Sequence, residues 1–138
     1  MAERMVYYKT AAKYGEVEQT IEKSRFIGYI KPVQNREEAE AFIAEIRALH
    51  RSATHNVPAY VIGEKSEMQW ASDDKEPSGT AGAPILHLLN GEGITNVAVV
   101  VTRYFGGIKL GTGGLARAYS GTARLALDAA GVAEVKEM

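Results

Sequence analysis

The chain contains no cysteine, which excludes disulfide frameworks, zinc–thiolate centres and thiol nucleophiles together. Long apolar runs are also missing. The longest, residues 97–101, falls far short of the roughly 20 residues that a membrane-spanning helix needs. The amino-terminal residues show no apolar stretch of the kind a secretion signal carries. These absences lead to the expectation of a cytoplasmic protein with no membrane contact. An excess of charge of one sign is lacking too: 16 Lys and Arg stand against 17 Asp and Glu, a net charge of -1. A binder of polyanions that is basic throughout is thereby excluded, whereas a local basic patch stays open. Hydrophobic residues at 46% and charged residues at 24% exclude a disordered tail or a fibre. At 138 residues the chain is expected to form one domain, able to bury about two-thirds of its unfolded surface.

Glycine is the residue in mild excess, at 14, about a tenth of the chain. Ten of the 14 lie between Gly79 and Gly121, and five of these are Gly106, Gly107, Gly111, Gly113 and Gly114. Charge follows the same partition. Residues 93–127 hold no Asp or Glu but carry Arg103, Lys109, Arg117 and Arg124. Residues 64–77 hold Glu64, Glu67, Asp73, Asp74 and Glu76 against Lys65 and Lys75. A glycine cluster between a strand and a helix start leaves free N–H groups beside the positive end of a helix dipole, an arrangement suited to anions. One reading of the charge partition is a basic surface for phosphate or nucleic acid. The other is that the acidic and basic segments pair and stabilise one cage of loops.

Periodicity places these segments. Residues 5–9, 16–21 and 24–33 read as strands that can form an antiparallel meander. Asn35 is a good N-cap, and Phe42, Ile43, Ile46 and Leu49 recur at helical spacing, predicting a helix over residues 36–50. Residues 57–63 and 68–72 read as a hairpin, followed by a polar loop to Gly79. A second helix opens at Thr80 or Gly82 with Pro84 in its first turn and closes at Asn90 and Gly91. Residues 97–104, almost all apolar and β-branched, read as a strand buried on both faces. After the glycine-rich loop comes an Ala-rich helix over residues 115–130, capped by Gly131, with Leu115, Tyr119, Thr122 and Ala126 as its core face. Residues 132–135 start a further strand. The fold class expected is α+β, two layers, with a mixed or antiparallel sheet and helices on one face.

Familiar chemical motifs fit poorly. The run from Gly111 to Ala116 satisfies G-x-G-x-x-A, but it follows a late strand, and Asp128 sits in a helix, so a dinucleotide site is not indicated. A P-loop fails because Gly111 is followed by Thr112 rather than Lys. No G-x-S-x-G occurs, and His50, His55 and His87 lack metal-ligand spacing. Asp73, Asp74 and Glu76 could hold a magnesium ion, but a solvated acidic turn is the preferred reading of them. No cofactor and no resident metal are expected. Arg117 and Arg124 lie two helical turns apart with Gly121 between them, which suggests a shallow basic groove.

Three longer runs carry a resemblance. They are Ser24-Arg25-Phe26-Ile27, the segment Asp73-Asp74-Lys75-Glu76-Pro77-Ser78-Gly79-Thr80-Ala81-Gly82, and the segment Arg103-Tyr104-Phe105-Gly106-Gly107-Ile108-Lys109-Leu110-Gly111 with the following Gly113-Gly114-Leu115 and Ala118-Tyr119. Together they resemble the Impact/YigZ family over nearly the whole chain from about Tyr7. Lys75 departs from the family pattern, which more often has Gly there. The resemblance implies an Impact N-terminal domain, similar in fold to the second domain of ribosomal protein S-five and to domain IV of elongation factor G. It also implies a link to translation. Eukaryotic members resemble regulators of the amino-acid-starvation kinase pathway that act through a ribosome-associated activator, with an extra RWD domain not seen here. Bacterial members usually carry a ferredoxin-like domain after this one, and its absence from residues 1–138 is expected. No catalytic residue set comes with the resemblance.

The leading expectation is a module binding RNA, the ribosome or a translation-associated protein. Arg103, Lys109, Arg117 and Arg124 would contact phosphates, and Gly106, Gly107, Gly111, Gly113 and Gly114 would admit close backbone approach. An alternative is a small enzyme for a phosphorylated or peptide substrate, with Asp73, Asp74, Glu76, Ser78 and Thr80 facing the glycine loop across a cleft. A third is a protein–protein interaction domain using an open sheet face.

Overall fold

The computed structural model describes residues 6–137. Seven strands and three helices follow in the order β1 (Val6–Ala11), β2 (Gly15–Ile21), β3 (Ser24–Pro32), α1 (Arg36–Leu49), β4 (His55–Ile62), β5 (Met68–Ala71), α2 (Gly82–Gly91), β6 (Val97–Tyr104), α3 (Gly111–Ala130) and β7 (Val132–Glu137). A five-stranded antiparallel sheet runs β2-β3-β6-β4-β5, and β1 pairs with β7 in a second, two-stranded sheet. The α+β class expected from sequence holds, and of the mixed or antiparallel sheet expected it is the antiparallel form that is found.

β6 occupies the middle of the large sheet, as its apolar run Val97–Val101 demands. Val97, Val99 and Val101 point to one face and Ala98 and Val100 to the other, all fully buried. The same alternation divides β3 and β4, and each face has its own core. Phe26, Ile30, Val57 and Val61 pack under α2 and α3, whereas Ile27, Tyr29, Tyr60 and Ile62 pack under α1. The expectation of helices on one face is therefore corrected. Both faces of β3, β6 and β4 are apolar, so each must be covered, and the Phe42–Ile43–Ile46 stripe of α1 covers the second.

The meander expected from β1, β2 and β3 forms only between β2 and β3. Glu22 and Lys23 both take positive φ, 47° and 66°, the geometry of a tight two-residue hairpin turn. β1 instead pairs with β7, from Ala11 opposite Val132 to Val6 opposite Glu137; Met5 lies outside the described residues. Asn35 caps α1 as expected, its side chain accepting from the Glu38 N–H at 2.8 Å. At the other end of α1, the His50 ring lies between two phenols, 2.6 Å from the Tyr29 hydroxyl and 2.6 Å from that of Tyr104. Burial, and then the nearby Arg25, holds His50 below its ordinary pKa. α3 begins at Gly111, four residues before the start expected from sequence, so Gly111, Gly113 and Gly114 form its first turn. Its core face is the one anticipated: Leu115, Tyr119, Thr122 and Ala126 are all buried.

Candidate functional site

The 73–82 loop and the 103–114 segment meet at one end of the sheet. The contact is made by Glu76, whose side chain is buried despite its polar surroundings. One carboxylate oxygen accepts from Arg103 Nη1 at 2.8 Å and also from the Tyr119 hydroxyl. The other lies 3.4 Å from His55 Nε2. Arg103, on central strand β6, donates from Nε and Nη2 to Ser24 Oγ at 3.3 and 3.2 Å. Its guanidinium lies between two rings, 5.5 Å from the centroid of Phe26 and 5.2 Å from that of Phe105. Burial, and then the Glu76 carboxylate, pushes the Tyr119 phenol far above its ordinary pKa, so it stays a neutral donor.

The other acids of the loop are also occupied by protein donors. Asp73 accepts from the N–H groups of Gly79, Ala81 and Gly82 at 2.9, 3.1 and 2.9 Å, and so caps the start of α2 from a distance in sequence. Burial raises the Asp73 pKa, but the bonds from Gly79, Gly82 and Ala81 outweigh it, and the net shift is downward. Asp74 accepts from the Asn56 N–H at 2.6 Å, and its carbonyl oxygen accepts from His55 Nδ1 at 2.8 Å. Thr80 is buried and donates to the Pro77 carbonyl at 2.5 Å, while Ser78 is exposed. The acidic loop does face the glycine segment, but its carboxylates point inward and hold the loop. Among the described residues, no three His, Asp or Glu side chains are grouped to hold a metal ion.

The glycine segment is pinned at one end and open at the other. The Gly106 N–H donates to Ser24 Oγ at 3.2 Å, and a Cβ at Gly106 would fall 1.9 Å from the Lys23 carbonyl oxygen, so no larger residue fits there. Gly107 and Gly111 hold φ at 93° and 75°, a region that favours glycine. Beyond them α3 starts without a side-chain cap, and Gly111, Thr112 and Gly113 are exposed. Between this helix start and the acidic loop lies a pocket of about 380 Å³. Glu76, His55 and Arg103 line it together with the apolar Pro77, Phe105 and Leu115. Phe105 and Ile108 are exposed beside it.

The four cations expected to act together do not. Arg103 is buried and committed to Glu76 and Ser24. Arg124 is paired at 2.5 Å with Glu92, across a groove between α2 and α3 that contains Gly121. Lys109 and Arg117 are exposed and make no ion pair among the described residues. They share a shallow depression with Ile21, Glu22 and Gly114. The basic surface is thus centred on these two residues and the start of α3. Sequence reasoning missed His55 and Ser24 as parts of the cluster. Ser24 lay within one of the long motifs, whereas nothing about His55 in the sequence marked it.

Comparison with known proteins places this architecture. The Impact N-terminal domain family model matches residues 22–127. The chain is 51% identical over 131 residues to IMPACT family member YvyE of Bacillus subtilis (strain 168), covering 95% of this chain and 60% of that protein. A solved structure of a hypothetical protein superposes with a TM-score of 0.88 at 40% identity, over 94% of this chain and 64% of the other. The two-domain translational regulator Yih1 superposes with a TM-score of 0.50 at 28% identity, over 89% and 47%. The chain therefore spans 60% of YvyE and 47% of Yih1. No helix among the described residues is long and apolar enough to cross a membrane. The family-model match and the identity to YvyE together show that the chain belongs to the Impact family and carries its N-terminal domain.

Proposed function

We propose that the chain is a cytoplasmic binding module in the regulation of translation and that it engages RNA, free or within the ribosome. The link to translation is supported by the likeness to Yih1, which is described as a translational regulator. The observation that carries RNA as the ligand is the set of uncommitted groups at the start of α3. Lys109 and Arg117 are exposed and unpaired among the described residues, the first turn of α3 is exposed, and Phe105 lines a pocket with Lys109. Cations beside an exposed ring suit a single-stranded backbone with a stacked base. Arg103 and Glu76 hold the platform and do not touch the ligand.

Titration of a labelled single-stranded RNA at two salt concentrations tests this. Wild-type affinity should fall with salt, and Lys109→Ala/Arg117→Ala should flatten the log–log slope by about 1.4, at about 0.7 for each phosphate no longer neutralised. An affinity that neither salt nor the double substitution changes would refute the reading. Arg124→Ala serves as the contrast: its guanidinium is held by Glu92, and binding should be nearly unchanged.

A further inference from the structure

The five-stranded sheet has two edges, and they differ in kind. The β2 edge carries Glu16 and Glu18, the latter in a bidentate bond with Arg25 at 2.8 and 2.9 Å. Charged side chains of this sort discourage further strand pairing. The β5 edge, Met-Gln-Trp-Ala, carries no charge and no proline. Its one strand partner among the described residues is β4, which leaves its outer side without a strand.

The face beside this edge is also open. Met68 and Trp70 project to the α1 side of the sheet, in register with Ile62 and Tyr60. α1 packs chiefly on β4 and β6, and Met68 and Trp70 remain 45% and 42% exposed. The result is a groove of about 630 Å³ between α1 and β5, floored by Ile43, Tyr60, Met68 and Trp70. Two arginines and one acid of α1, Arg36, Arg47 and Glu40, line its wall. Arg36 is held by Glu40 at 2.8 Å, whereas Arg47 makes no ion pair among the described residues.

We propose that this groove is a docking site for an extended acidic peptide, which adds as a strand to β5. Alternate apolar side chains of the peptide would rest on Met68 and Trp70, and its carboxylates would meet Arg47. An unguarded edge supplies main-chain bonds, the apolar floor supplies side-chain pockets, and the uncommitted arginine selects for acid. This surface lies on α1 and β5, away from Lys109 and Arg117, and stands independently of the RNA reading.

The chain's single tryptophan, Trp70, reports directly on the groove. A phage-displayed library of random eight-residue peptides, selected on the wild-type chain, should enrich sequences with acidic residues alternating with large apolar ones. A synthetic peptide from that pool should shift Trp70 emission and protect the β5 amides from hydrogen exchange. Arg47→Glu and Met68→Lys, both at exposed positions, should each weaken it by roughly tenfold, with unchanged circular dichroism. Four outcomes would overturn the proposal. They are no enrichment, enrichment of basic or helix-patterned sequences, binding that Arg47→Glu leaves unchanged, and a wild-type chain that self-associates through β5 and loses this with Met68→Lys.

Discussion

Glu76 sits in a polar loop, yet its carboxylate is buried and receives Arg103 and Tyr119 on one oxygen. Removing it strands the Arg103 guanidinium in the interior. Glu76→Ala is expected to cost about 3–5 kcal/mol in urea unfolding, the range for breaking a buried ion pair from one side. Asp73 acts differently, through three main-chain N–H groups at the start of α2. Its folded pKa lies below the ordinary 3.8, so the stability it contributes is fully present above that value and is lost as pH falls through the lower one. Asp73→Ala should therefore cost about 1–2 kcal/mol near neutral pH, and the gap to wild type should narrow as unfolding is measured at progressively lower pH. Lys75 holds φ at 72°, a conformation unfavourable to any side chain. Lys75→Gly relieves that strain at some entropic cost and is expected to raise stability by about 0.5–1 kcal/mol in the same assay.

At the scale of elements, the position of α3 explains both what the sequence revealed and what it hid. The core stripe of α3 was legible because its apolar spacing is regular. Its true start was not, since Gly111, Gly113 and Gly114 carry no apolar pattern and glycine ordinarily disfavours helix. The helix also packs against β3 with little clearance: a Cβ at Gly28 would come within 2.9 Å of Thr122 Cγ2 and of the Thr122 carbonyl oxygen. Gly28→Val should push α3 off the sheet and lower the thermal midpoint by several degrees, about 1–3 kcal/mol of overpacking. The pairing of β1 with β7 was hidden for another reason. Both are short, and only their long-range register brings them together. The second layer under α1 could have been foreseen, because Ile27, Tyr29 and Val100 left a complete apolar face in need of cover.

Considered as a whole molecule, the chain uses its opposite charges locally. The partition seen in the sequence resolves into cations fixed by acids and cations left exposed. Glu76 with Arg103 joins the acidic segment to the basic one, as the loop-cage reading has it, whereas Arg124 is fixed by Glu92, which lies outside the acidic segment. Lys109 and Arg117 are left over as the open basic surface. Composition could locate the basic segment, but which cations are free depends on three-dimensional partners that no local pattern encodes. Nuclear magnetic resonance mapping of a single-stranded RNA onto the isotope-labelled chain separates these roles. Amide shifts should concentrate on residues 105–117 and the β2–β3 turn and leave Arg124 and β5 undisturbed. Shifts centred on the α2–α3 groove, or none at saturating RNA in low salt, would contradict the assignment of RNA binding to the start of α3.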